Sequence, residues 1–146
     1  MALKKLISNV IDSVEYNITL QEVLDSMIKN KTKHFVLLNN KKPVGIITER
    51  DILFLYTKHI DLNLKAIDFA KKCLITSKSN RKVNYILGLM LNHKIRRVVI
   101  VDLEGNYLGT ILQEKLIYEF EQDIFKTHTK AKDLIRVNLK AFSVQK

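Results

Sequence analysis

Residues 44–52 read Val-Gly-Ile-Ile-Thr-Glu-Arg-Asp-Ile, and within them Thr48 and Asp51 have the makings of a polar site. The apolar run up to Ile47 reads as a strand and the residues after Thr48 as a helix, so the pair falls on a helix start. Backbone N–H groups without helical partners and the positive end of the helix dipole gather there, which suits a phosphate. A threonine hydroxyl can donate beside such an anion, and the two oxygens of an aspartate can accept from both hydroxyls of a ribose. The same two residues also come close to a capping box, worth about 1 kcal/mol as a plain helix start. A second polar group, Arg96-Arg97, stands directly before the apolar run Val98–Val101, as Lys33-His34 stands before Phe35–Leu38. The planar donor fork of a guanidinium fits phosphate, although such a pair can also simply snorkel at the start of a strand. His34 offers at most a donated hydrogen bond, and Arg50 is expected to face solvent or a nearby acid.

These residues are carried by a pattern that the chain states twice. Leu20, Val23, Leu24, Met27 and Ile28 lie three and four apart, the stripe of an amphipathic helix, with Thr19 and Glu22 as its capping box. About 63 residues later Val83, Ile86, Leu87, Met90 and Leu91 repeat the stripe. Each stripe leads to a short all-apolar run, expected as a strand buried on both faces. Turns at Asn39–Pro43 and Asp102–Asn106 then lead to second strands over 44–47 and 108–112. Further helices are expected over Glu49–Lys58 and Gln113–Phe125, and short strands near Ser13–Val14 and Leu74–Thr76. Each copy is thus β-α-β-β-α, and the fold class is α/β (α+β). Three short strands with helices on one face cannot bury both sides alone, so the two pseudo-symmetric repeats are expected to pack sheet to sheet. The expected division is an N-terminal extension over 1–9, repeats over 10–63 and 64–126 with a joining helix at 64–72, and a basic tail or linker over 127–146.

The order of elements and the signature apolar-Gly-Ile-Ile-Thr-x-x-Asp-Ile at 44–52 resemble the CBS domain, and the tandem resembles a Bateman module over about residues 10–125. The resemblance implies a regulatory module that binds an adenosine-containing ligand such as AMP, ADP, ATP or S-adenosylmethionine. It implies that Thr48 contacts phosphate and Asp51 ribose, that Arg97, Arg96 and His34 face the phosphates, and that the signature residues Gly45 and Ile46 belong to the site. Ser13, Val14 and Val36 are the family-like positions for an adenine slot. In the second repeat the aligned positions are Leu112 and Lys115, which cannot play the roles of Thr48 and Asp51, so one site per chain is expected. A homodimer and an output domain, on the same or another chain, are the implied partners.

The composition narrows the alternatives. Four glycines and no Gly-rich phosphate loop, histidines scattered at 34, 59, 93 and 128, and a single cysteine at 73 point away from an enzyme, a zinc site and a disulfide framework. No cofactor requirement is read. No secretory signal is legible at the start, and no apolar run nears the ~20 residues of a membrane span, so a cytoplasmic protein without membrane partners is expected. The net charge of +10 favours anionic partners. Much of the excess sits between Lys126 and Lys146, where six Lys/Arg face the single acid Asp133. A ligand-free dimerisation scaffold, with Thr48 and Asp51 only capping a helix, stays open. So does a nucleic-acid binder using the basic surface, although Phe35, Tyr85 and Phe120 lie on apolar stripes.

Overall fold

In the computed structural model the described residues are 3–127, and they fall into two units, one through Leu112 and one from Gln113 on. The tail expected over 127–146 therefore lies outside the described residues apart from Thr127. Helix α1 (Leu20–Asn30) starts on the expected capping box: the Glu22 N–H donates to Thr19 Oγ1 at 3.1 Å and the Thr19 N–H donates to Glu22 Oε1 at 3.3 Å. It buries Leu20, Val23 and Met27 and stops at Lys31, which takes the left-handed conformation (φ 54°) usually given to glycine. Helix α3 (Val83–His93) ends the same way on Lys94, with the same φ of 54°.

Strands β1 (Ser13–Glu15), β2 (His34–Asn39) and β3 (Lys42–Thr48) make one three-stranded sheet, and β4 (Thr76–Lys78), β5 (Arg97–Val101) and β6 (Tyr107–Leu112) make the other. In each, the first strand runs parallel to the central one and the third antiparallel to it. Side chains alternate along β2. Phe35 and Leu37 join the core under the helices, with Leu20, Val23, Met27, Ile47 and Ile52. Val36 faces the other way and packs with Val99 and Val101 of the second sheet. The sheets do pack face to face, as the buried character of their central strands requires.

The first hairpin is tighter than expected. Only Asn40 and Lys41 lie outside the strands, both with positive φ, as a two-residue turn demands. Pro43 falls inside β3, at the third position in the sheet order, where a missing N–H is tolerated. In the second hairpin the Asp102 carboxylate accepts from the N–H groups of Asn106 and Glu104, which holds it below the usual carboxylate range. Helix α2 (Glu49–Thr57) follows β3 directly, and α4 (Gln113–Thr127) carries a Lys115–Glu119 ion pair at 3.2 Å.

The segment at 64–72 is not a helix. Only Ala66–Asp68 form a 3-10 turn, because tertiary pairing consumes the backbone around them: the Ala66 N–H donates to the Ile18 carbonyl, and Lys71 and Ile46 exchange two hydrogen bonds of 2.9 and 3.0 Å. The first nine residues contain structure too. Leu6 is buried, Ile7 bridges to Ile111 and the Ser8 N–H donates to the Thr110 carbonyl. Each repeat is thus preceded by a segment that docks on the third strand of the other. Two glycines permit it: a Cβ on Gly45 would lie 3.0 Å from Ala70 Cβ, and one on Gly109 would run into the Ile7 side chain.

Candidate functional site

The docking of Lys71 on Ile46 brings the signature strand β3 against the segment that leads into β4, and a cleft of about 600 Å³ opens between them. That volume suits a small-molecule ligand. Ile46, Thr48, Glu49, Arg50 and Leu53 line it from the first repeat, together with Lys33. Lys71, Cys73, Leu74 and Ile75 line it from the joining segment, and Lys94, Ile95, Arg96, Arg97 and Val99 from the second repeat. Six of these side chains are cationic (Lys33, Arg50, Lys71, Lys94, Arg96, Arg97) and Glu49 is the one acid. The charges come from both repeats, so an anion in the cleft would draw on both.

At the mouth of the cleft the Thr48–Asp51 pair forms a complete capping box. The Thr48 N–H donates to Asp51 Oδ2 at 2.9 Å and the Asp51 N–H donates to Thr48 Oγ1 at 3.2 Å. The next helical donor, the Glu49 N–H, is taken by the Lys33 carbonyl at 2.9 Å. The helix start therefore offers a phosphate fewer unpartnered N–H groups than the sequence suggests, and the cationic side chains dominate. Thr48 lines the cleft; Asp51 is exposed beside it and is not among its lining residues. Arg50 lines the cleft rather than standing clear of it.

The structure brings Ile46, Thr48, Arg96 and Arg97 together and places the remaining candidates elsewhere. His34 is buried, its Nε2 lying 2.9 Å from Oδ2 of the buried Asp12, so it does not face the cleft. Ser13, Val14 and Val36 belong to the first sheet, where Val36 is packed between the sheets. Gly45 is buried against Ala70 and Ile67. Ile75 and Val99 of the second repeat are apolar residues of the cleft lining. The reason is the crossing segment: β3 of the first repeat meets the lead-in to β4. Arg97, taken from the second repeat, already carried that signal. Lys71, Lys94 and Cys73 carry no motif that could have marked them.

A family model described as CBS domain matches residues 3–58 and again residues 66–121. The chain belongs to the CBS domain family. Its two CBS domains are the two repeats, in an α+β fold. The solved structure of a CBS domain protein, PAE2072 from Pyrobaculum aerophilum complexed with AMP, is similar at 27% identity and a TM-score of 0.73, covering 84% of this chain and 99% of that one. The CBS domain pair of protein MJ0100, in complex with 5′-methylthioadenosine and S-adenosyl-L-methionine, superposes with a TM-score of 0.72 at 23% identity, over 84% of this chain and 98% of that one. Inosine-5′-monophosphate dehydrogenase of Pasteurella multocida is 32% identical over 114 residues, which is 74% of this chain and 23% of the dehydrogenase. The chain spans about half, or less, of the length of the curated relatives it matches. Among the described residues no helix is long and apolar enough to cross a membrane, and no three His, Cys, Asp or Glu side chains gather as a metal site.

Proposed function

We propose that this CBS pair is a regulatory sensor that takes one adenosine nucleotide per chain in the Thr48 cleft and performs no reaction of its own. The observation that carries the proposal is the cleft lining of six cations against one acid, drawn from both repeats. The similar structures hold AMP in one case and 5′-methylthioadenosine with S-adenosylmethionine in the other. The charge of this cleft favours the phosphate-bearing ligands among them, because three guanidinium and three ammonium groups gain from phosphate what a sulfonium cannot supply. Thr48 and Arg97 are the phosphate partners, with Arg96 in support. Asp51 holds the ribose through its carboxylate while it keeps its place in the helix cap. Ile46, Ile75 and Val99 give the apolar surface on which a base can lie.

The mechanism is a population shift. A ligand that spans cations of both repeats favours the arrangement in which they stand closest, and an output domain on this or a partner chain reads that arrangement. A homodimer in the cytoplasm is the expected setting. The test is calorimetric titration with AMP, ADP, ATP and S-adenosylmethionine at low and moderate salt, repeated on Arg97→Gln. Affinity rising with phosphate number, weakened by salt and by Arg97→Gln, is the expected result. Preferred binding of S-adenosylmethionine, indifferent to salt, would overturn the phosphate assignment.

Two observations favour a second reading, the ligand-free dimerisation scaffold. The capping box at Thr48–Asp51 is complete without a ligand. Leu53, Phe54 and Tyr56 of α2 are 55%, 59% and 66% exposed, an apolar surface suited to a partner. Dimerisation with no heat from any of the four ligands would select it.

A further inference from the structure

The repeat offset gives the cleft a pseudo-symmetric counterpart, and the strand registers fix which residues correspond. Val99 stands between Thr76 and Thr110 as Val36 stands between Ser13 and Ile46, and Arg97 pairs with Leu112 as His34 pairs with Thr48. The floor residues Ile46, Thr48, Ile75, Arg97 and Val99 thus have as counterparts Thr110, Leu112, Asp12, His34 and Val36. Lys71, paired with Ile46, corresponds to Ser8, whose N–H donates to the Thr110 carbonyl.

These counterparts engage one another. Asp12 is 5% exposed and His34 2%. His34 Nε2 lies 2.9 Å from Asp12 Oδ2, the Tyr107 hydroxyl donates to Asp12 Oδ1 at 2.8 Å, and the same hydroxyl lies 2.7 Å from Thr110 Oγ1. Both carboxylate oxygens are therefore satisfied by groups from the two repeats. A buried carboxylate stands where the Thr48 cleft has the apolar Ile75, and an imidazole stands where it has a guanidinium. A phosphate approaching that floor would meet a fixed negative charge in a medium of low dielectric. Displacing Asp12 would cost the Tyr107 hydroxyl and His34 Nε2 a buried partner each.

We propose that Asp12 sets ligand selectivity between the two pseudo-symmetric floors: its buried carboxylate refuses phosphate-bearing ligands at one and leaves the Thr48 cleft as the one that takes them. The proposal deepens the one-site reading and rests on the Thr48 cleft binding a phosphorylated nucleoside. Titration of the full chain with ATP counts the sites. The wild type should show one, and Asp12→Ile/His34→Arg, which copies Ile75 and Arg97 into the first repeat, should add a second that holds phosphate and is weaker because Leu112 and Lys115 still stand where the Thr48 cleft has Thr48 and Asp51. One site alone, in a variant whose circular dichroism and cooperative melt match the wild type, overturns the proposal. If that variant does not fold, the reverse transplant decides. Ile75→Asp and Ile75→Asn differ in charge at nearly equal size, so ATP should weaken by about 30-fold or more beyond the loss seen with Asn, while adenosine weakens equally in both. Equal loss of ATP in the two overturns the proposal. A wild type that takes no ATP beside an Asp12→Ile/His34→Arg variant that takes one would overturn the nucleotide reading of the Thr48 cleft and leave the role of Asp12 standing. No binding in either chain overturns both.

Discussion

Replacing Asp51 by alanine separates the two duties assigned to that carboxylate. In the folded chain Asp51 Oδ2 accepts from the Thr48 N–H at 2.9 Å, half of the capping box that starts α2. Loss of that contact at an exposed helix start costs about 1 kcal/mol, which for a chain of this length lowers the melting temperature by about 3–4 °C. The ligand duty is measured by the rise in melting temperature with ATP. At a concentration of ~100 times the wild-type dissociation constant the rise corresponds to about 2.7 kcal/mol, or about 8–10 °C. Hydrogen bonds from a ribose diol to a carboxylate are worth about 1.5–3 kcal/mol, so Asp51→Ala should bind ~10- to 100-fold more weakly. At the same ATP concentration the rise then shrinks to about 1–5 °C. Differential scanning fluorimetry with and without ATP reads both numbers on one sample. Asp51→Asn, which keeps an acceptor for the Thr48 N–H, should recover most of the ligand-free stability and little of the ATP response. An Asp51→Ala chain that loses its 3–4 °C yet keeps the full ATP rise would refute the ribose assignment. One with unchanged ligand-free stability would refute the capping estimate.

Three further outcomes follow from the geometry. Gly109→Ala places a Cβ against Ile7 and should cost about 1–3 kcal/mol by urea denaturation, with partial recovery in Gly109→Ala/Ile7→Ala; equal stability of the two would show that the amino-terminal segment does not press on β6. Burial, and then the charge of Asp12, raise the Tyr107 pKa well above its ordinary 10.0, so above about pH 10 the unfolded chain releases a proton that the folded chain keeps. Stability from this group is whole below pH 10 and falls above it by up to ~1.4 kcal/mol per pH unit, and Tyr107→Phe should lack that slope in alkaline melts. Cys73 is exposed and lines the cleft, and it is the chain's single cysteine, so ATP should slow its alkylation by N-ethylmaleimide severalfold. Alkylation at an unchanged rate under saturating ATP would place the ligand elsewhere.

The repeats were legible because their signals are local. The stripe from Leu20 to Met27, the capping box at Thr19 and the apolar runs of β2 and β5 each follow from spacing within a dozen residues, and the structure keeps them. Other departures lie where a distant segment decides or where no residue type marks the conformation. Residues 64–72 look helical in isolation, yet the Ile18 carbonyl and the exchange between Ile46 and Lys71 claim their backbone. Lys31 and Lys94 end their helices in a conformation for which the sequence gives no glycine as a signal. Ser13, Val14 and Val36 are the positions that the CBS resemblance implies for an adenine slot, and they belong to the first sheet. The crossing segment brings Ile75 and Val99 of the second repeat into the lining of the Thr48 cleft, and no periodicity encodes that meeting. Asp12 was silent for a related reason: an acid between Ile11 and Ser13 reads as a surface residue until His34 and Tyr107 are brought to it.

The differences between the copies have one physical consequence on each side of the pair. On the Asp12 side one hydrogen bond, from the Tyr107 hydroxyl to Asp12, joins the repeats, with His34 and Thr110 bonded to its two ends, so that contact is already made without a ligand. On the Thr48 side Lys33 and Arg50 of the first repeat line one cleft with Lys71, Lys94, Arg96 and Arg97, and like charges gathered in one cleft repel. The phosphorylated ligand proposed for this cleft would offset that repulsion on one side only. The motion it drives should therefore be a rotation of the repeats about the Asp12–Tyr107 contact rather than a uniform compaction. Its extent is limited by how much more tightly the ligand binds with the cations gathered than with them apart.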